Sequence, residues 1–249
     1  MCLILVAWRV HPAYPLVVAA NRDEFRARPT AVAVRWPDAP HVVAGRDLEA
    51  GGTWLGVTDA GRFAAVTNVR EPGKPQGPQS RGRLTQEFLT GTATPAEFSG
   101  GIQDDAYSGF NLLVADGRTL CYRSNRDGAA RALPAGIYGV SNHLLDTPWP
   151  KLTTAKARFA VALDSLPDES PFFELLADDE IVPDAHLPAT GVSLEWERRL
   201  SAVFVHSPDY GTRASTLLLR RADGSGVLRE RSFDAAGTTG EVRLTFVPA

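Results

Sequence analysis

Cys2, directly behind the initiator methionine, has the type and position in this chain that offer the sharpest chemistry. Removal of Met1 would leave it with a free α-amine beside its thiol. An α-amino group titrates near pH ~7.7–8, so its neutral form can take the thiol proton without any histidine. A nearby arginine would lower the thiol pKa and favour the thiolate, the reactive species. The other role open to Cys2 is a small apolar residue buried at a strand start, as most free cysteines are, and position alone favours that role.

Asn21-Arg22-Asp23-Glu24 is the second group of interest. A carboxylate there can hold an amine, and an arginine can favour a thiolate. Arg22 and Asp23 would point to opposite faces of a strand, so only one of them can face Cys2. A solvated charge cluster at a hairpin end is the alternative. Asn68 and Asn142 each follow a short apolar run, and neutral amides at strand ends are the donors that stabilise an oxyanion. Asparagine is equally a turn former. Arg213 starts a strand after Tyr210-Gly211-Thr212, where an ordinary surface cation would also be at home. His11, His41, His143, His186 and His206 show no metal-ligand spacing. Haem-attachment, dinucleotide, phosphate-loop, zinc-protease and Gly-x-Ser-x-Gly motifs are absent. The five tryptophans are core or pocket-wall candidates.

The elements that must position these residues follow from patterning. Residues 2–8 are apolar at every position up to Trp8, which fits a strand covered on both faces. A turn at 11–15 and a second apolar run at 16–20 predict a hairpin whose second strand ends in the tetrapeptide. Short strands are expected near 41–44, 53–57 and 63–69, with a Pro- and Gly-rich loop at 71–80. Ser80 is placed to cap a helix over 82–90. A hairpin is predicted over 110–123 and a strand over 137–141, ending at Asn142. Helices are expected over 150–166 and from 170 onward. Strands at 201–206, 213–220, 227–233 and 241–247 follow, with Asp223-Gly224 as a turn. Strands, then helices with strands among them, then strands again predict a single α+β domain over 1–249, with two packed sheets and helices outside.

Composition bounds the function. The chain has 249 residues, 44% apolar and 22% charged, an ordinary globular mixture. A net charge of -3 lacks the basic footprint of a nucleic-acid binder. Two cysteines cannot build a disulfide framework or a zinc cluster. No apolar run approaches the ~20 residues of a membrane span, so stable membrane insertion is not expected. These features read as a soluble cytoplasmic protein.

Several motifs together resemble the NRDE family, whose eukaryotic members are called transport and Golgi organisation protein 2. They are Met1-Cys2-Leu3-Ile4, Ala20-Asn21-Arg22-Asp23-Glu24-Phe25, Ala44-Gly45-Arg46-Asp47, Gly51-Gly52-Thr53-Trp54-Leu55-Gly56, Ala65-Val66-Thr67-Asn68, Ser80-Arg81-Gly82, Gly139-Val140-Ser141-Asn142 and Tyr210-Gly211-Thr212-Arg213. That family in turn resembles the N-terminal nucleophile hydrolases of the choloylglycine hydrolase and penicillin V acylase group. The resemblance implies a four-layer αββα fold and a cysteine amidohydrolase acting on a non-peptide amide of a small molecule, so that the partner would be a small-molecule ligand or substrate. Cys2 would be nucleophile and its α-amine base, with Arg22, Asp23, Asn68, Asn142 and Arg213 completing the catalytic set. Asn21, Glu24, Trp54, Arg81 and His143 would line the substrate site, and hydrolysis would need no cofactor or metal. One departure is plain: the hydrolases carry Arg-x-x-Asp on the second strand, whereas Arg22 and Asp23 are adjacent here. The second reading implied by the resemblance is a non-catalytic haem or lipid carrier on the same fold, with Cys2 or His143 on the iron.

Overall fold

The computed structural model describes residues 2–248. β1 (Cys2–Trp8) and β2 (Leu16–Phe25) form the opening hairpin, with Trp8 opposite Leu16. Leu3, Leu5 and Ala7 face one core while Ile4, Val6 and Trp8 face another. This double burial is why β1 reads as an unbroken apolar run. β2 runs on through the polar tetrapeptide to Phe25, so the cluster lies inside a strand rather than beyond its end.

β3 (Thr30–Trp36), β4 (Ala39–Asp47), β5 (Leu55–Thr58) and β6 (Phe63–Asn68) follow as a meander. α1 (Gly82–Thr90) and α2 (Pro95–Gly100) lead to β7 (Phe110–Ala115), β8 (Leu120–Ser124), β9 (Arg131–Leu133) and β10 (Gly136–Val140). α3 (Pro150–Leu163), α4 (Ser170–Leu176) and α5 (Leu194–Arg199) precede β11 (Tyr210–Arg220), β12 (Gly226–Asp234) and β13 (Gly237–Phe246). The strands build two antiparallel sheets, in the orders β10-β1-β2-β11-β12-β13 and β3-β4-β5-β6-β7-β8-β9.

One core fills the space between the sheets, from Ile4 and Val18 to Leu113 and Tyr122. A second packs α3 and α4 on the first sheet through Phe159, Phe172 and Leu176. A third packs α1 on the second sheet through Leu84, Phe88 and Leu89. These are the four layers αββα. Each fully buried Leu, Val or Phe side chain contributes about 1.5–3 kcal/mol, so the layers are held chiefly by apolar burial.

Two expectations are corrected. Residues 201–206 are not a strand, although Ala202, Val203 and Val205 are buried. Their backbone is partnered by side chains and loops: Lys151 and Asn21 take carbonyls of this segment, and the Phe204 N–H donates to Asp178 O. No ladder is needed to satisfy them. Ser80 is not the helix cap either, for Arg81 occupies that position and offers no side-chain cap bond.

Candidate active site

Antiparallel pairing of β1 with β2 sets Cys2 opposite Arg22. β10 pairs along the other side of β1 with Ile4 opposite Val140, and just beyond its end Ser141 Oγ donates to the Cys2 carbonyl at 3.0 Å, which brings the neighbouring Asn142 close to Cys2. Opposed residues in such a ladder share a face. Here it is the face between the sheets, because Ile4, Ala20 and Val140 lie in the inter-sheet core. Cys2 therefore sits half-buried at the end of β1, between a guanidinium and a carboxamide.

Arg22 is 5% exposed and firmly held. Its Nη1 donates to Thr30 Oγ1 at 3.0 Å, and its Nη2 lies 3.9 Å from Asp47 Oδ2. Its Cζ lies 4.4 Å from the centroid of the Trp54 ring. A buried cation–π contact of this kind contributes up to about 2 kcal/mol. The indole has room because residue 45 is glycine: a Cβ there would stand 2.3 Å from Trp54 Cη2.

Asn142 is fully buried. Its Nδ2 donates to Asn68 O at 3.1 Å, and Ser141 Oγ lies 3.0 Å from Cys2 O and 3.2 Å from Asn142 Oδ1. The second N–H of that fixed amide is a donor suited to an oxyanion. Asn68 reaches this cluster through its carbonyl. Alternation along β6 puts its side chain on the side of Ala64 and Val66, the outer face of the second sheet.

Asp23 points to the opposite face of the first sheet from Arg22 and is 1% exposed. Its Oδ1 accepts from Thr212 Oγ1 at 2.7 Å, and the Tyr210 hydroxyl donates to its carbonyl at 3.1 Å. Burial pushes the Asp23 carboxyl up, while the Lys151 ammonium and the Thr212 hydroxyl pull it down. Burial likewise pushes the Cys2 thiol up. The Asp23 carboxylate adds to that, and the Arg22 guanidinium and Asp23 backbone N–H oppose it. A thiol raised in this way needs a base to ionise near neutrality.

A match to the family described as Transport and Golgi organisation 2 spans residues 1–235. The chain belongs to this family. It is 38% identical to the Transport and Golgi organization protein 2 homolog of Bos taurus, covering 93% of each chain, and 35% identical to that of Homo sapiens, again over 93% of each. It is 26% identical to Transport and Golgi organization protein 2 of Drosophila melanogaster, over 99% of this chain and 97% of that one. Among solved structures it is similar to a Caenorhabditis elegans N-acylethanolamine-hydrolyzing acid amidase ortholog, with TM-score 0.53 and 14% identity over 88% of this chain and 92% of that one. It is also similar to the C2A mutant of the conjugated bile acid hydrolase from Clostridium perfringens, with TM-score 0.53 and 9% identity over 98% and 92% of the two chains. At such identities the likeness shows the fold alone: the chain has an N-terminal nucleophile hydrolase-like fold, two antiparallel sheets packed between helices.

On that fold Asn21 and Arg213, read as site residues, are engaged elsewhere. Asn21 turns away from Cys2 and is a buried clamp: its Nδ2 donates to Leu176 O at 2.8 Å and Val203 O at 2.9 Å, and Ser215 Oγ donates to its Oδ1 at 2.6 Å. Arg213 sits in a β-bulge of β11 and holds the turn after β2, its Nη1 donating to Phe25, Arg26 and Arg28 carbonyls at 3.0–3.2 Å. The bulge re-aims the side chain. Glu24 accepts from the Phe25 N–H at 2.8 Å, on the same face as Arg22. His143 is exposed, with Nδ1 2.9 Å from Thr147 Oγ1 and its ring against Trp149. No three His, Cys, Asp or Glu side chains converge on a metal position among the described residues.

Two buried charged residues at the site escaped sequence reasoning. Lys151 is 5% exposed; its Nζ donates to Leu200 O at 2.8 Å and Ala202 O at 3.3 Å, and burial lowers its pKa to about 8 against the pull of Asp23. It lies one turn from Ala155 on the buried side of α3, a charged residue where the pattern calls for an apolar one. Glu230 of β12 joins the sheets: Oε1 accepts the Ala33 N–H at 2.8 Å and Oε2 accepts from Thr216 Oγ1 at 3.2 Å. Burial pushes its carboxyl up, with Arg22 among the groups opposing this. An acidic residue in step with inward-facing Leu228 was the available signal.

Proposed function

We propose that the protein is a cysteine amidohydrolase acting on a non-peptide amide of a small molecule. One arrangement carries this reading: Cys2 flanked by Arg22 and Asn142, with the Asp23 carboxylate held behind it by Thr212. Once Met1 is removed, the Cys2 α-amine takes the thiol proton, and Asp23 orients the resulting ammonium. The thiolate attacks the amide carbon, and Asn142 donates to the oxyanion as the C–S bond forms. The C–N bond then breaks, the leaving amine receives the ammonium proton, and a thioester remains. Water, deprotonated by the free α-amine, cleaves the thioester and returns the thiol.

The test is the intact mass of the purified protein, before and after a nitrile that condenses only with 1,2-aminothiols. Loss of the Met1 mass and single fast labelling, absent in Cys2→Ala, are expected. Incubation with a panel of N-acyl amides should then give an acyl adduct on Cys2. Retained Met1, an inert Cys2, or turnover that persists in Cys2→Ala would overturn the reading.

A further inference from the structure

The cations around the site are mostly engaged. Arg22 is stacked on Trp54 and bonded to Thr30. Arg28 pairs with Asp47 and Glu49, at 2.8 and 2.9 Å. Arg70 pairs with Glu197 at 2.9 Å, and Arg126 with Glu71 at 2.8 Å. Arg213 is taken by the three carbonyls of the turn after β2. Arg81 differs. Its Nη1 donates to Gly109 O at 3.2 Å, and among the described residues no carboxylate stands at ion-pair distance from it.

Hydrogen bonding places Arg81 beside the oxyanion end of the site. The Gly109 carbonyl it holds also accepts the Val69 N–H at 2.9 Å, immediately after Asn68, whose own carbonyl holds Asn142. The backbone that presents Arg81 is pinned by close contact of two glycine-containing motifs. A Cβ on Gly52 would stand 2.4 Å from the Gly82 carbonyl, and the Thr53 N–H donates to that carbonyl at 3.2 Å. Burial disfavours the Arg81 cation, and the nearby Cys2 and Glu24 charges favour it. A partly buried guanidinium offers a planar fork of donors matched to two oxygens of an anion.

We propose that Arg81 receives an anionic oxygen group, carboxylate or phosphate, on the ligand whose reacting carbon lies at Cys2. The proposal takes the position of the site from the reading above, but charge selection at Cys2 holds whether or not an amide is cleaved there.

Alkylation of Cys2 by iodoacetate and by iodoacetamide tests it. In both reactions the thiolate forms a C–S bond and iodide leaves, so the ratio of the two rates is independent of the thiolate fraction and reports local charge alone. Cys2 in the intact protein should favour iodoacetate relative to the same ratio for free cysteine. Arg81→Gln should lower the ratio about fivefold, as loss of a partly buried charge contact implies, and Arg81→Lys should retain most of it. Arg83→Gln on the exposed side of α1 should leave it unchanged. A merely structural role for Arg81 would slow both reagents alike. Repeating the measurement in acetate and in phosphate at equal ionic strength separates the sources, because the anion that Arg81 binds brings the ratio down to that of Arg81→Gln. A ratio unmoved by Arg81→Gln, or unmoved by both anions, would overturn the proposal. Charge selection together with no acyl adduct would leave the anion site standing and remove the hydrolase reading.

Discussion

Thr212 ties Asp23 to the loop behind it: its hydroxyl donates to Asp23 Oδ1 at 2.7 Å and accepts the Val205 N–H at 2.9 Å. Thr212→Val removes both bonds and leaves a buried N–H and a buried carboxylate oxygen each short of a partner. The expected loss is about 1–3 kcal/mol in urea unfolding. Thr212→Ser restores the hydroxyl and should recover most of it. The Asp23 carboxyl, already pushed up by burial, loses one of the donors that lower it. The acid limb of any Cys2-dependent turnover should therefore move to higher pH in the valine variant, and unchanged stability and pH profile would contradict the role given to Thr212.

Lys151 gives a prediction with a definite sign in pH. Its folded-state value is about 8 against an ordinary 10.5, because burial disfavours the ammonium. A depressed value means that the group contributes its stability above the unfolded pKa and loses it as pH falls through 8. At ~1.4 kcal/mol per pH unit the whole effect is about 3 kcal/mol. Unfolding free energies of the wild-type protein and Lys151→Met, measured from pH 7 to 10, should diverge by roughly 2 kcal/mol across that range, with the wild type gaining as pH rises. Lys151→Met should be the less stable at the alkaline end, where the Leu200 and Ala202 carbonyls lose their donor. Parallel curves would show that Lys151 titrates normally.

What the sequence makes legible here is set by periodicity and local chemistry. β1, α1 over 82–90 and the hairpin around Gly117 declare themselves because apolar spacing or a turn residue fixes each locally. α2 carries a capping box at Thr94 and Glu97, a short-range signal of a helix start that the sequence does contain. Residues 201–206 mislead because burial without a ladder looks the same as a strand in an apolar pattern. The site divides in the same way. Cys2 and Arg22 are brought together by strand register, which a hairpin read from sequence already approximates, and Asn142 joins them through Ser141 beyond the end of β10. Asn21 and Arg213 are polar residues of a suggestive motif whose direction depends on strand alternation and on a bulge between Thr212 and Ala214, and neither is visible in residue types. Lys151 comes within electrostatic reach of Asp23 only through packing of α3 on the first sheet, a relationship with no local trace.

Gly45 tests whether Trp54 positions Arg22. A Cβ at residue 45 would stand 2.3 Å from Trp54 Cη2 and 3.1 Å from Ala31 O, so Gly45→Ala must displace the indole. Overpacking of this kind costs about 1–3 kcal/mol. The functional consequence should exceed the structural one, because Arg22 loses its aromatic platform and with it the cation beside the thiol. Alkylation of Cys2 by iodoacetamide at neutral pH should slow severalfold in Gly45→Ala, with a urea midpoint only moderately reduced. An unchanged alkylation rate would mean that Trp54 does not position the guanidinium.

The Arg70–Glu197 pair, 2.9 Å apart with both side chains at 6% exposure or less, fastens the α5 region beside the site. The Arg70 backbone N–H donates to Asn142 O at 2.7 Å, and the Thr190 N–H donates to Glu197 Oε1 at 2.8 Å. Removing one member leaves the other charge buried, whereas removing both leaves an apolar contact. Glu197→Gln should therefore cost about 3–5 kcal/mol, and Arg70→Met combined with Glu197→Leu should cost less than the sum of the two single changes, the remaining loss being the Thr190 N–H deprived of its acceptor. A double-mutant cycle in urea measures the coupling directly. Additive losses would show that the two side chains are held independently, and that the α5 region is fastened by its apolar contacts through Leu200 and Trp196 alone.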